Sequence, residues 1–434
     1  MKLSKFNVWH RERERLLIFN SFTIALAEFD GFSATCMTKA LTANDLSMIP
    51  PEFVEALRED GFIVDSGKNE LALLSEIVDE RVHTTDTLNL SVMLSLRCNF
   101  GCVYCYEGLN LRNGGNAVKP ALILDLFNNL PSHLKRVEMD WFGGEPLVTF
   151  GLMRELNDQL QLECARRRLE YTASLTTNGY LLEGDVLQYI CESRFSHAVV
   201  TLDGPPDQHD KLRPLRNGGG TFRKILRNVQ TAVEAGLHVI LRINLTSANV
   251  DRVIEAYDVL DDAGLKNQVE VSLQQVVSSD VNPCDDLCLS TEDFARVAME
   301  TYKRAAEKGW IVFPHIDSIR SLGYCIADYP GRLIIGMDGR LYKCGELSMT
   351  GEYIGRLDAG ILKIDDKKHS RWVGKSPLGY KECRECQIAP ICMGGCNLKR
   401  FHKQGSCCVD LKYVLPEFLE VLVINQSNLE SFSC

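Results

Sequence analysis

The chain has 434 residues, 45% hydrophobic and 24% charged, with 17 cysteines and a formal net charge of −10. That composition belongs to an ordered globular protein of about three domains, at roughly 150 residues each, and its acidity offers no footprint for broad contact with nucleic-acid phosphates. The opening MKLSKFNVWHRERER puts charges where a signal peptide needs its apolar stretch, and no later run is apolar enough to span a membrane, so a cytoplasmic location is expected. The cytosol keeps thiols reduced, so so many cysteines call for metal rather than disulfides. Cys36, Cys164, Cys191 and Cys434 stand apart from the others and read as ordinary buried or surface thiols.

Residues 1–86 have a texture of their own. KFNVWHRERERLLIFN reads as two short strands around a charged turn, SFTIALAEFD and PEFVEALRED as amphipathic helices, and GFIVD as another strand. Together they form a small winged-helix-like α+β pattern. The alternating signs of RERER mark a solvated hairpin end rather than a basic recognition surface. From 87 to 310 short β-rich runs alternate with helical ones. Strands are expected at 88–96, 136–142, 171–177, 197–203, 238–245 and 269–276, with helices at 121–130, 152–168, 222–236 and 252–264. That alternation predicts an α/β domain: a parallel sheet with right-handed crossovers, wound as a barrel or part of one. GGG at 218–220 lacks the Lys-Ser/Thr of a phosphate loop and reads as a plain loop. Over 311–434 the periodicity lapses into Gly, Cys and short turns before a C-terminal helix. Such a region can be organised around metal instead of a large apolar core.

The first barrel strand runs into LRCNFGCVYCYEG, residues 96–108, where Cys98, Cys102 and Cys105 stand at C-x3-C-x2-C. A closed zinc site or an ordinary electron-transfer cluster takes four ligands, whereas three thiolates leave one metal position open for chemistry. Their place just after a strand puts them at the C-terminal mouth, where barrel enzymes carry out their reactions. WFGGEP at 141–146, TTNG with Thr177 and Asn178, and TLDG with Asp203 end the next three strands. With these motifs the chain resembles the radical SAM superfamily. The resemblance implies a partial (β/α)6 barrel and a [4Fe-4S] cluster on the three cysteines. S-adenosylmethionine would bind the open iron and be cleaved to a 5′-deoxyadenosyl radical that takes hydrogen from the substrate. It also implies that Tyr104 lies against the adenine and that Gly143, Gly144, Glu145 and Pro146 approach the methionine end. Thr177, Asn178, Asp203, Arg213, Arg242 and Asn244 are then the remaining polar candidates for the ligand.

The later cysteines carry a second resemblance. Thirteen residues separate Cys325 from Gly339 and four more precede Cys344; then come Cys383, Cys386, Cys392 and Cys396, and the pair Cys407 and Cys408. This is similar to the SPASM extension of radical SAM enzymes, which implies two auxiliary [4Fe-4S] clusters. The outer one would use Cys383, Cys386, Cys392 and one of Cys407 and Cys408; the inner one would use Cys325, Cys344 and Cys396. Zinc is the alternative for 383–396. The inner set is one thiolate short, and PHIDSIRSLGY ahead of Cys325 supplies none. Cys284 and Cys288 in NPCDDLCLS either complete it or are incidental. SPASM enzymes mostly modify peptides or proteins, so two reactions compete: crosslinking of a ribosomally made precursor peptide, and sulfatase maturation to formylglycine. In sulfatase-maturing enzymes a catalytic Asp follows the Gly-x4-Cys cysteine. Here Gly345 and Glu346 follow it, which weighs against that reaction and leaves Glu346 as the catalytic candidate. Residues 1–86 resemble elements that hold a leader peptide as an added strand. The expectation is a peptide maturase forming a thioether or carbon–carbon crosslink, with flavodoxin or ferredoxin as reductant. A non-catalytic iron-sulfur or zinc protein is the reading from another class.

Overall fold

The computed structural model describes all residues except 84, 109–116, 279–281, 314–324, 350, 374–375, 404–406 and 433–434. Cys434 and all of PHIDSIRSLGY lie outside the described residues. The chain forms two compact units, one built from Met1–Val82, Ala295–Asp328 and Gly374–Cys434, the other from His83–Phe294 and Tyr329–Val373.

In the first unit, β1 (Lys2–Leu3) is followed by β2 (Asn7–Glu12), β3 (Arg15–Asn20) and β4 (Ala25–Asp30), which form an antiparallel sheet in the order β2-β3-β4. The helices Gly31–Ala43 and Pro51–Glu59 come next, then β5 (Ile63–Val64), which pairs with β1, and the helix Glu70–His83. RERER is the β2–β3 hairpin end, with Arg13 at φ 51° in the turn and Arg11 bonded to Thr35 and Thr38. One sequence expectation is corrected. SFTIALAEFD is not a helix, because Ala25–Asp30 is strand β4, paired along its whole length from Arg15↔Asp30 to Asn20↔Ala25. The helical preference of Ala, Leu and Glu is weak beside six ladder positions and the burial of Phe29 among Leu16, Ile18 and Met37. The helix starts at Gly31 instead.

The cysteine-rich tail is built into this same unit. Phe6, Leu74 and Val78 share a core with Ala389 and Met393. The ring of Phe418, on the C-terminal helix Leu415–Phe432, sits edge-on to Phe19 at 5.7 Å and Phe313 at 5.9 Å. Asn425 on that helix accepts from the backbone of Val312 and Phe313 at 2.8 and 3.1 Å.

The second unit is one ten-stranded sheet. Strands β6 (Thr87–Met93), β7 (Arg136–Phe142), β8 (Glu170–Thr177), β9 (Phe195–Thr201), β10 (Val239–Leu245) and β11 (Glu270–Gln275) lie parallel and in chain order. β12 (Arg332–Ile335) adds in parallel beside β6, and β13 (Arg340–Tyr342), β14 (Gly355–Asp358) and β15 (Ile361–Ile364) continue antiparallel. This is the α/β fold expected, although the helices Gly184–Glu192, Pro206–Leu212 and Thr291–Glu307 were not foreseen. Alternate residues such as Val137, Met139, Trp141, Leu175, Leu241 and Ile243 are buried. On the opposite face a row across three strands is hydrogen-bonded: Asp140 accepts from Ser91 at 2.7 Å and Ser174 at 3.2 Å. The strands thus present one apolar face and one face whose polar side chains bond to each other across strands.

Phe418 is fully buried, so Phe418→Ala should lower stability by about 3–5 kcal/mol, seen as an earlier transition in urea unfolding of the first unit. An unchanged midpoint would show that the ring carries no such weight.

Candidate functional site

The site in the larger unit begins where β6 ends. Cys98, Cys102 and Cys105 lie on one turn, in which the Cys105 N–H donates to Cys102 O at 3.4 Å and the Phe100 N–H to Cys98 Sγ at 3.4 Å. Burial pushes the Cys98 and Cys105 thiols up to about 12, and raises Cys102 too. With only protein around them such thiols stay protonated at neutral pH, and a multiply charged metal centre is what turns them into ligands.

The end of β7 closes onto this turn. Gly143 and Gly144 have φ of +91° and +55°, and a Cβ on Gly144 would stand 2.4 Å from the Arg97 carbonyl oxygen. The Glu145 N–H donates to that same oxygen at 2.8 Å. The Glu145 carboxylate, fully buried, accepts from Thr177 Oγ1 at 2.7 Å, the Asn178 N–H at 2.6 Å and the Leu147 N–H at 3.0 Å. Pro146 opens the short 3-10 turn Pro146–Thr149. Asn178 in turn donates from Nδ2 to Asn99 Oδ1 at 2.8 Å. Glu145 therefore braces two strand ends and, through Asn178, the cysteine turn.

A second buried network gathers around the Tyr104 hydroxyl. It donates to Asp203 and accepts from Arg213 Nη1 at 2.9 Å and Asn244 Nδ2 at 3.0 Å. The Asn244 N–H donates to Asp203 at 2.8 Å. Burial opposes the charge on Arg213, but Cys102, Tyr104 and Asp203 outweigh it and hold the guanidinium firmly protonated. Arg242 is near enough to interact electrostatically with Asp140 and Tyr106 and, within this hub, with Arg213, Tyr104 and Asp203. The structure thus brings together Tyr104, Asp203, Arg213 and Asn244, and separately Glu145, Thr177 and Asn178.

Two residues escaped motif reasoning. His209 is fully buried; its Nδ1 accepts from the Asp203 N–H at 3.0 Å and its Nε2 meets Thr221 Oγ1 at 3.1 Å. Since Thr221 gives its own proton to Arg213 O at 2.7 Å, the imidazole is the neutral Nε2–H form. Glu107 is 4% exposed; Oε2 accepts from the Gly144 N–H at 2.8 Å, Oε1 has no partner, and burial raises the carboxyl to about 7. The signal for it was an acid placed two residues beyond the third cysteine.

Cys284 and Cys288 pack with Tyr104, Leu212 and Val276, their sulfurs 3.9 Å apart. Burial raises Tyr106 far above its usual value, with Glu107, Cys105 and Cys344 adding to the effect. Glu346 is exposed on the 3-10 turn Gly345–Met349.

The smaller unit holds Cys325, Cys383, Cys386, Cys392, Cys396, Cys407 and Cys408. Cys383, Cys386, Cys392 and Cys408 line one pocket, with Lys412 Nζ 3.3 Å from Cys408 Sγ. Cys407 lays its backbone against Gly395, where a Cβ would come 1.8 Å from the Cys407 carbonyl oxygen. That leaves Cys408 to face the other three. Cys325 and Cys396 are neighbours, and Asp328 joins their segments by accepting from Asn397 at 2.6 Å and from Arg400 at 2.8 and 2.9 Å. Cys344 belongs to the larger unit. Among the described residues no three His, Cys, Asp or Glu side chains close on a single ion.

Residues 92–260 match the Radical SAM superfamily. The cysteine turn, the glycine loop after β7 and the hub around Tyr104 all lie within that match. The chain is 23% identical over 314 residues, 69% of this chain and 76% of the relative, to the serine-type anaerobic sulfatase-maturating enzyme of Klebsiella aerogenes. Its fold is that of anSMEcpe with bound AdoMet and Cp18Cys peptide, at TM-score 0.60 and 17% identity, covering 79% of this chain and 99% of that one. It is also that of Streptococcus suis SuiB bound to precursor peptide SuiA, at TM-score 0.51 and 15% identity, covering 93% of this chain and 97% of that one. The cofactors of a radical SAM domain are a [4Fe-4S] cluster and AdoMet, and the residues here fit them. Three partly buried thiols share one turn, a glycine-closed strand end abuts it, and a buried carboxylate oxygen beside both lacks a donor.

The pocket distinguishes two adjacent thiols. Cys408→Ala should cost about one cluster's four irons, measured as iron and sulfide content after anaerobic reconstitution, whereas Cys407→Ala should keep them. The reverse result would assign the role to Cys407.

Proposed function

We propose that this radical SAM/SPASM enzyme is a maturase that crosslinks a ribosomally made precursor peptide, with a thioether as the favoured bond. The observation that carries the reading is the outer edge of β4. Among the described residues no strand pairs with that edge, and an unpaired six-residue edge is a template for an added peptide strand. SuiB, whose structure with its precursor peptide has this fold, covers 93% of the chain, against 79% for anSMEcpe.

In this reading Cys98, Cys102 and Cys105 hold the cluster that takes AdoMet, which when bound supplies a carbon radical for removing substrate hydrogen. Glu145 keeps the ends of β7 and β8 fixed to the cysteine turn. The Tyr104 hydroxyl orients Asp203, Arg213 and Asn244 in a buried setting from which water is excluded. Cys383, Cys386, Cys392 and Cys408 would hold the outer auxiliary cluster. The motif count leaves the inner set, Cys325, Cys344 and Cys396, one thiolate short, room that a substrate thiol could take, hence the preference for a thioether. Electrons would come from a flavodoxin or ferredoxin in the cytoplasm. Among the described residues no helix is long and apolar enough to cross a membrane.

Sulfatase-type maturation is the second reading, favoured by the relatives named above. The exposed Glu346 and the Gly345 before it, where those enzymes place an Asp, weigh against it.

The test is a synthetic peptide matching a short Cys-containing reading frame beside the gene. Added to the reconstituted enzyme, it should slow amide exchange at 25–30 and lose its iodoacetamide-reactive thiol without gaining aldehyde reactivity. An aldehyde product would establish formylglycine formation, and unchanged exchange would remove the docking role of β4.

A further inference from the structure

We infer that the cations around the outer cysteine pocket form the docking surface for the acidic one-electron carrier that reduces the enzyme. All of them belong to the smaller unit. Exposed Lys412 lines the pocket of Cys383, Cys386, Cys392 and Cys408, and exposed Lys381 and Arg384 stand on the short helix Lys381–Arg384 that carries Cys383. Lys5 joins this rim to a second group of cations. Its Nζ donates to the Arg384 carbonyl, and with Lys2 and Lys68 it lines an open cleft of about 420 Å³ beside β1. Lys2 in turn donates to the Lys68 carbonyl at 2.9 Å. Of the carboxylates beside them, Glu70 is buried and accepts from Ser4 and the Lys5 N–H, Glu385 faces Lys381 at 3.8 Å, and Glu382 borders the pocket. Cations therefore outnumber acids along this stretch, in a chain whose net charge is −10.

The reaction decides what kind of partner fits there. Reductive cleavage of AdoMet takes its electron from outside the chain, so a donor protein has to dock; the carrier is oxidised by one electron as the enzyme gains one, with no bond made or broken. A [4Fe-4S] centre on four thiolates is net negative, and an acidic carrier such as a flavodoxin would be repelled from it unless positive side chains stood around the point of approach. The pocket meets that condition: Cys386 and Cys408 are partly exposed, and Lys412, Lys381, Arg384 and Lys5 surround them. Complementary charge of this kind steers encounter and sets orientation. The inference rests on the reading of Cys383, Cys386, Cys392 and Cys408 as the outer cluster's ligands and is independent of which peptide bond is formed.

The test uses the reconstituted full chain and an acidic flavodoxin. Lys2→Glu, Lys68→Glu and Lys381→Glu are combined, none of the three lining the cysteine pocket, and Lys39→Glu on the helix Gly31–Ala43, which lines neither pocket, is the control. Titrated calorimetrically at low salt, the triple variant should bind flavodoxin at least about tenfold more weakly than the parent, and the control as the parent does. AdoMet cleavage at limiting flavodoxin should fall by a similar factor in the triple variant, yet match the parent with dithionite, a small reductant that needs no docking surface. Parent-like flavodoxin affinity in the triple variant overturns the inference, as does an equal loss in the control. The cluster reading is judged separately, by iron content: a Cys408→Ala protein that keeps all its irons would sink that reading while the binding data still judge the surface. If the triple variant loses iron, acetylation of the parent's lysines decides. Bound flavodoxin should protect Lys2, Lys68 and Lys381 and leave Lys39 reactive, and absence of that protection refutes the docking surface.

Discussion

Two loops leave neighbouring parallel strands at the same end of the sheet and meet backbone to backbone, with Gly144 standing so close to the Arg97 carbonyl that a Cβ would lie 2.4 Å from the oxygen. Much of the site follows from that approach. Cys98 is the next residue after Arg97, so the cysteine turn takes its position from β7 as well as from β6. Glu145, next after Gly144, donates its N–H to Arg97 and uses its carboxylate to collect Thr177 and Asn178 from β8. Thiols, glycine loop and TTN segment are one mechanical piece, because the shared contact is between main chains and cannot be relieved by a rotamer change.

Charge is managed differently on the other side of the cysteine turn. Asp203 and Arg213 are both buried, and buried charges are tolerated only when hydrogen bonds satisfy them. The Tyr104 hydroxyl links the two, giving its proton to Asp203 and accepting from Arg213 and Asn244. Neutral His209 holds the Asp203 backbone from below through Nδ1. Removing any one member strands another in a low-dielectric setting, so the network behaves as a unit. It draws on β10, the segment after β9, the cysteine turn and the residue after the helix Pro206–Leu212, which ties the site to the integrity of the sheet.

The smaller unit shows the same economy with less apolar material. Its tail has little core of its own, and Ala389 and Met393 bury themselves against Phe6, Leu74 and Val78 from the opposite end of the chain. Phe418 does likewise with Phe19. The pocket of Cys383, Cys386, Cys392 and Cys408 thus rests on a scaffold supplied by Phe6 and the helix Glu70–His83.

Local pattern was enough for much of this. The six parallel strands alternate or run apolar over their full length, and their ends fall within three residues of the expected positions, because two-residue periodicity and punctuating turns are properties of the chain alone. The cysteine spacings were legible for the same reason: residues on one turn are close in sequence. What sequence could not reveal depended on partners far along the chain. β4 is a strand only because β3 offers it a ladder and Phe29 a core, against its local helical preference. Cys408 rather than Cys407 faces the pocket because Gly395 brings the Cys407 backbone against its own. Glu107, His209 and the Tyr104 hub emerged from tertiary contact, since burial and hydrogen-bond satisfaction are set by which groups meet in space and leave no periodic trace in the sequence.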